Sequence, residues 1–201
     1  MRRREFITLL GGAASSWPLA AGAQPRTTPV IGYLGATGFD SYADAQVTAY
    51  RQGLTDAGFV ADRGFEIEFR WAEGHYDRLP ALAGELISRG VALLFASTLP
   101  SCLAAKRATS TIPIVFVMGA DPVKLGVVAS LNRPGGNVTG IYQYYGALGG
   151  KRLELIRDLV PALGILAVLS NPQNPNAQDH LNDIQTAAQA IGQQRQYRKR
   201  D

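Results

Sequence analysis

The stretch "VALLFASTLPSCLAAKRATSTIPIVFVM" (residues 91–118) contains the structural unit that repeats along this chain. Residues 91–97 and 112–118 are two short runs rich in valine, isoleucine, leucine and phenylalanine, which is typical of buried strands. Between them, Thr98 and Ser101 precede the apolar run "CLAAK", as expected where a helix begins. A strand, a helix and a second strand form a crossover unit, and crossovers join parallel strands. The stretch therefore predicts a parallel α/β sheet.

The same unit recurs on both sides of this stretch. Further strands are predicted at residues 29–35, 65–71 and 137–142. Apolar residues at helical spacing run from Val47 to Ala57 and from Leu79 to Ile87, and a glycine that can adopt the left-handed cap conformation follows each run. Residues 24–142 are therefore predicted to form a doubly wound lobe, with a parallel sheet between two layers of helices.

The N-terminus has the pattern of an export signal over residues 1–23. Three arginines precede a short apolar run, and Ala21-Gly22-Ala23 offers the small residues that signal peptidase requires. The residues from Arg3 to Ile7 resemble the twin-arginine pattern, which favours that export route over ordinary secretion. Because the apolar run is too short to span a bilayer, we expect a periplasmic protein without a membrane anchor after cleavage.

A second, shorter region follows the first lobe. Residues 143–150 are rich in glycine and tyrosine and interrupt the repeat, so they are interpreted as a crossing between lobes. A helix carrying Leu153 and Ile156, a strand at residues 165–170 and a helix carrying Leu181 and Ile184 are predicted next. Residues 143–192 would thus begin a second α/β lobe. Residues 193–201 form a polar, basic tail without a strand pattern.

Composition and motifs exclude several functions. The net charge of +4 is small and lies partly in the arginines at the N-terminus, so no nucleic-acid partner is predicted. The chain contains neither a dinucleotide fingerprint nor a phosphate-binding loop, and no serine nucleophile elbow. His75, His180 and Cys102 are far apart in sequence, and Cys102 is interpreted as a small buried apolar residue. No catalytic residue, metal or cofactor is predicted.

Polar and aromatic residues at the strand ends are candidates for ligand binding. Thr37 and Thr98 lie where helices begin, and exposed N–H groups there can receive a carboxylate. The alternative is that such residues cap their own helices. Asp121 and Asn171 have the same two interpretations, ligand contact or turn formation. Phe39 and Tyr142 are the aromatic candidates, although Tyr142 fits core packing equally well.

Three stretches resemble the periplasmic substrate-binding proteins of ABC transporters, in the branch that includes tryptophan and tyrosine binders. They are "RWAEGHYDRLPALA", "KRATSTIPIVFVMGADPVKLGVVASLNRPGGNVTG" and "KRLELIRDLVP...AVLSNPQNPN". The resemblance implies a type I binding fold whose two lobes close on a small solute, with an ABC transporter permease as partner. It also implies a ligand site between two walls. The far wall would be formed by Asn171, and the near wall by Thr37, Phe39, Ser97, Thr98, Asp121 and Tyr142.

Members of that family extend beyond the length of this sequence. We therefore expect an incomplete second lobe, a C-terminal truncation and impaired solute binding. Two other interpretations remain open. One is a periplasmic α/β enzyme, for which no reacting groups can be named. The other is an interaction module that uses the basic tail, residues 193–201, to bind an acidic partner.

Overall fold

Five parallel strands form one sheet in the computed structural model of the protein, which describes residues 28–59, 64–143, 148–161 and 164–190. Their order across the sheet is β2-β1-β3-β4-β5. The strands are β1 (Val30–Gly35), β2 (Glu66–Trp71), β3 (Leu93–Ala96), β4 (Ile114–Met118) and β5 (Val138–Tyr142). The prediction of a parallel α/β sheet is confirmed, and each predicted strand of the first lobe is present within one or two residues of its expected bounds.

The described helices alternate with the strands as far as β4; β5 follows β4 without a described helix between them, and two helices follow β5. They are α1 (Ser41–Asp56), α2 (Leu79–Ser88), α3 (Leu99–Ala108), α4 (Gly149–Leu159) and α5 (Ala177–Ala190), with one turn of 3₁₀ helix at Tyr76–Arg78 before α2. None of these helices is long and apolar enough to cross a membrane. The predicted export signal and the basic tail lie outside the described residues.

Local sequence explains where the first helices begin. The Asp40 carboxylate accepts a hydrogen bond from the backbone N–H of Ala43 at 2.8 Å, so α1 begins at Ser41, ahead of its first apolar repeat at Val47. Prolines occupy the first turns of α2 and α3, where a missing N–H costs nothing.

The sheet has two different faces because side chains alternate along each strand. On one face, α2 and α3 cover a large aliphatic core that contains Leu34, Leu94 and Ile114, all fully buried. On the other face, α1 covers a smaller core that is largely aromatic. Its centre is Tyr33, whose ring packs against four others: Tyr50, Phe69, Trp71 and Phe95.

Tyr50 makes the stability of the aromatic core dependent on pH. Burial raises the pKa of Tyr50 to about 12, and the neighbouring Tyr33 adds to the rise. An unfolded tyrosine ionises near pH 10. The stability that the protein gains by burying neutral Tyr50 is therefore complete below about pH 10 and is lost as the pH rises towards about 12. We expect Tyr50→Phe to remove part of the fall in stability between those values. Urea denaturation of both proteins at about pH 9 and about pH 11 measures the fall in the free energy of unfolding. An equal fall in the native protein and in Tyr50→Phe would contradict the role of Tyr50.

The second region contains two helices that pack on each other. Positions 149 and 150 are glycines, and a Cβ there would lie 3.5 Å from Ile184 and 3.6 Å from Ala187, so α4 and α5 approach closely. The prediction of helices in this region is confirmed. Residues 144–147, in the predicted crossing between lobes, lie outside the described residues.

The predicted strand at residues 165–170 is wrong, because these residues carry no strand in the structure. A strand exists only when another strand accepts its backbone hydrogen bonds, and no described strand pairs with this segment. Its apolar side chains are exposed, with Leu169 fully accessible and Ile165 at 65%. The apolar pattern predicted a strand for which the described residues provide no pairing partner.

A candidate binding site at the carboxyl edge of the sheet

All five strands run in one direction, so their carboxyl ends lie along one edge of the sheet. β1 lies between β2 and β3, and the connections from β1 to β2 and from β2 to β3 run in opposite directions across the sheet. Parallel sheets of this order bind ligands in the crevice expected at such a reversal, here between the loops that follow β1 and β3. The two loops begin at Ala36 and Ser97.

Ser97, the first residue of the loop after β3, contacts strand β1 directly. Its backbone N–H donates to the carbonyl oxygen of Leu34 at 3.3 Å, and its hydroxyl lies 3.4 Å from the same oxygen. Thr37 lies two residues beyond β1, with an exposed side chain. The structure therefore places Thr37 and Ser97, both candidates from the sequence, on the two sides of the crevice.

Thr98 and Asp121 serve the local structure. The Thr98 hydroxyl lies 2.9 Å from the Ser101 hydroxyl and accepts from the Ser101 backbone N–H at 3.4 Å, which caps α3. One carboxylate oxygen of Asp121 accepts from the backbone N–H groups of Val123 at 2.9 Å and Lys124 at 3.1 Å. Both side chains are half-buried and engaged, in agreement with the capping and turn-forming interpretations.

The two aromatic candidates lie on opposite sides of the crevice. Phe39 packs edge-to-face on Trp71 of β2, with ring centroids 5.7 Å apart. Tyr142 ends β5 at the other edge of the sheet, paired with Met118 and half-buried. Since β1, β3 and β4 separate β2 from β5, these two rings do not belong to one compact pocket within the described part of the chain.

Asn171 reaches the same edge from the second region. Its side-chain N–H lies 3.5 Å from the hydroxyl oxygen of Tyr76, which follows the loop after β2, and its side-chain oxygen accepts from the Gln173 backbone at 3.0 Å. Sequence reasoning did not select Tyr76 because an aromatic residue after a strand has no feature that distinguishes a ligand wall from a core. The contact places Asn171 beside the segment that follows β2, and its role as the far wall of a ligand site stays a prediction.

The loop after β2 also contains an unusual backbone conformation. Glu73 has a φ of 57°, the one positive value among described residues other than glycine, and its N–H donates to the Thr37 carbonyl at 3.4 Å. Its carboxylate pairs with Arg78 at 2.8 Å. Such conformations persist where surrounding contacts hold them, and they concentrate at functional sites. The loop that carries Thr37 is therefore braced from the side of β2.

The cysteine of the described residues is not available as a nucleophile. Cys102 is fully buried, and burial raises the pKa of its thiol to about 12, so the nucleophilic thiolate is scarce near neutral pH. The described part of the chain contains no cluster of three potential metal ligands. What this edge does offer is a pair of hydroxyls, the start of a helix and a polar side chain from the second region, all suited to recognition.

The fold and the edge define the class of protein: an α/β lobe of the periplasmic binding type. The family model for ABC transporter substrate-binding proteins matches residues 40–194. The chain therefore belongs to the ABC transporter substrate-binding protein family, which agrees with the prediction of a binding protein in place of an enzyme.

Individual relatives agree with this assignment. A tyrosine-binding protein of Clostridioides difficile is 30% identical over 141 residues, which cover 70% of this chain and 40% of that protein. A conserved domain protein from Vibrio cholerae superimposes with a TM-score of 0.76 at 26% identity, covering 83% of this chain and 55% of that one. An ABC domain from Streptococcus pneumoniae in complex with L-Trp shares the fold with a TM-score of 0.74 at 23% identity, with the same coverage. The chain thus spans about half the length of these relatives.

Proposed function

We propose that the protein is the solute-binding component of an ABC importer and that it binds an amino acid, with aromatic amino acids as the first candidates. The observation that carries the proposal is the topological reversal between β1 and β3, where the loops that contain Thr37 and Ser97 begin. Parallel sheets bind small ligands at this position. Relatives whose names specify tyrosine and L-Trp support the class of solute.

The chemistry of the edge suits an amino-acid carboxylate. α3 begins directly after Thr98, and its N-terminus carries the positive end of the helix dipole. The Thr37 hydroxyl would donate to the same oxygens, and the Ser97 hydroxyl would do so in place of its long bond of 3.4 Å to the Leu34 carbonyl. Asn171, above this edge, provides an amide that can contact the solute from the other region. No covalent chemistry is required.

The proposal also covers location and partner. Residues 1–23 would act as an export signal of the twin-arginine type, and the mature protein would act in the periplasm. A permease of the ABC class would receive the solute. In this scheme residues 143–150 would connect the near lobe to the region that carries Asn171, and movement there would open and close the site.

Thermal unfolding of the full chain with single amino acids tests the proposal. A solute that binds the folded state alone raises the unfolding midpoint, so we expect L-tyrosine or L-tryptophan to raise it in proportion to the logarithm of concentration. L-alanine, which has the same charged groups and no ring, is the matched control. A midpoint that responds to none of the three, or to L-alanine as much as to the aromatic amino acids, would refute the proposed solute class.

A further inference from the structure

A second concave surface lies between α1 and β2, on the side of β1 away from the crevice. It is open to solvent, and its volume of about 340 Å³ is within the range of small-molecule sites. The wall from β2 consists of Phe69 and Trp71, and Phe39 closes the end near the carboxyl edge. The opposite wall is the exposed face of α1. This surface is called the α1–β2 groove below.

The wall from β2 is flat and aromatic. Phe69 and Trp71 are two residues apart on one strand, and their rings are parallel within 3° with centroids 6.2 Å apart. The Trp71 ring lies directly over Gly35, where a Cβ would overlap it, so the absence of a side chain there fixes the position of the indole. Phe39 meets the indole with its edge at 5.7 Å. The wall thus presents half-buried rings to any flat ligand.

The wall from α1 carries one charge of each sign. The Arg51 guanidinium lies 5.6 Å from the centre of the Phe69 ring, and Asp44 lies two helical turns earlier, about 10 Å along the helix axis. Both side chains are exposed, and neither forms an ion pair with any residue that the structure describes. Thr48 lies between them on the same face. Cation, hydroxyl and carboxylate therefore follow one another along the groove.

The edge of β2 is not available to a peptide strand. The N–H groups of Glu66 and Ala72 donate to β1, so the alternate residues between them turn their backbone groups outward. The outward carbonyl of Phe69 already accepts from the Arg70 guanidinium at 2.9 Å, and Glu85 holds that guanidinium at 2.8 Å. A charged side chain that covers an edge strand opposes strand addition. These contacts therefore exclude an added peptide strand and leave the groove open to a small molecule.

We propose that the α1–β2 groove is a second binding site, which takes a small aromatic carboxylate with a hydrogen-bond donor at its far end. The carboxylate pairs with Arg51, because guanidinium binds carboxylates through two parallel hydrogen bonds. The ring lies against Phe69 and Trp71. The donor, a phenol or an amine, reaches towards Asp44. A phenolic acid with a two-carbon linker has the length and the two polar ends that this arrangement requires.

The test follows the indole N–H signals of the full chain, labelled with ¹⁵N-tryptophan and titrated with 3-(4-hydroxyphenyl)propionate. The chain has 2 tryptophans, Trp17 and Trp71, and Trp71→Phe assigns their signals. We expect a saturable shift of the Trp71 signal and at least a tenfold weaker affinity in Arg51→Gln. Arg107→Gln, an exposed arginine on α3, is the matched control and should leave the affinity unchanged. A Trp71 signal that does not shift, or an affinity equal in the two variants, would overturn the proposal.

A further variant separates this site from the proposed solute site. Thr37→Phe fills the crevice between β1 and β3 without touching any residue of the groove wall on α1, so the phenolic acid should bind this variant as it binds the native chain. Loss of binding in Thr37→Phe would assign the phenolic acid to the crevice and refute a second site. 3-Phenylpropionate, which lacks the phenol, should bind more weakly than the phenolic acid, and Asp44→Asn should abolish that difference. Equal affinities of the two acids for the native chain would contradict the role of Asp44.

Discussion

Gly140→Ala is expected to destabilise the protein by about 1–3 kcal/mol or more, because there is no space for a side chain at this position. Gly140 pairs with Phe116 across β4 and β5. A Cβ at position 140 would lie 2.6 Å from Cγ and 2.7 Å from the backbone nitrogen of Phe116, and closer still to its carbonyl oxygen. Since backbone atoms cannot move aside as a flexible side chain can, β5 must separate from β4. Urea denaturation measures the loss.

Gly84→Ala is the matched control for this substitution. Gly84 lies inside α2, and a Cβ there meets no atom within 4 Å. Alanine favours a helix interior over glycine by about 0.8–1 kcal/mol, so we expect a small gain in stability. The same substitution should thus lower the stability of the protein at position 140 and raise it at position 84. A Gly140→Ala protein as stable as the native chain would show that β5 does not pair with β4 as described.

Thr37→Phe is expected to weaken solute binding at least tenfold while the protein remains folded. Thr37 is exposed at the end of β1, so a larger side chain there displaces no core residue. In the crevice, the ring would occupy the space beside Ser97 that the proposed amino acid needs. A tenfold loss corresponds to about 1.4 kcal/mol of binding free energy. Calorimetric titration with L-tyrosine measures the change.

Thr111→Phe is the corresponding control, since Thr111 is an exposed threonine just before β4, at the amino edge of the sheet. It adds the same ring to the protein at the end opposite to the proposed site. We expect native affinity in this variant. Equal losses in the two variants would mean that binding does not involve the carboxyl edge.

Most of the first lobe could be predicted from local patterns. Runs such as residues 112–118 are short, apolar and rich in β-branched residues, and they alternate with helical spacing, which leaves a parallel sheet as the simple solution. The apolar repeat of α1 begins at Val47 and does not mark the start of the helix at Ser41. That start depends on the capping contact of Asp40, about a turn and a half earlier. The segment 165–170 failed for the opposite reason. An apolar pattern records the preference of a strand, whereas pairing depends on a partner distant in sequence.

The site could be predicted in part. Thr37 and Ser97 come together because parallel strands place their carboxyl ends at one edge, a rule that needs no side-chain detail. The direction of Phe39 could not be predicted, since its contact with Trp71 depends on a ring fixed over Gly35. The same holds for the contact between Asn171 and Tyr76, which joins residues 95 positions apart.

Mapping the solute on the protein tests the central claim most directly. The ¹⁵N-labelled full chain is titrated with L-tyrosine, and the backbone amide shifts are followed residue by residue, a method that detects weak binding as well as strong binding. The account predicts that the largest shifts fall in residues 36–40 and 97–101, on the two sides of the crevice. Saturable shifts confined to other parts of the chain, or none at all with either L-tyrosine or L-tryptophan, would contradict it.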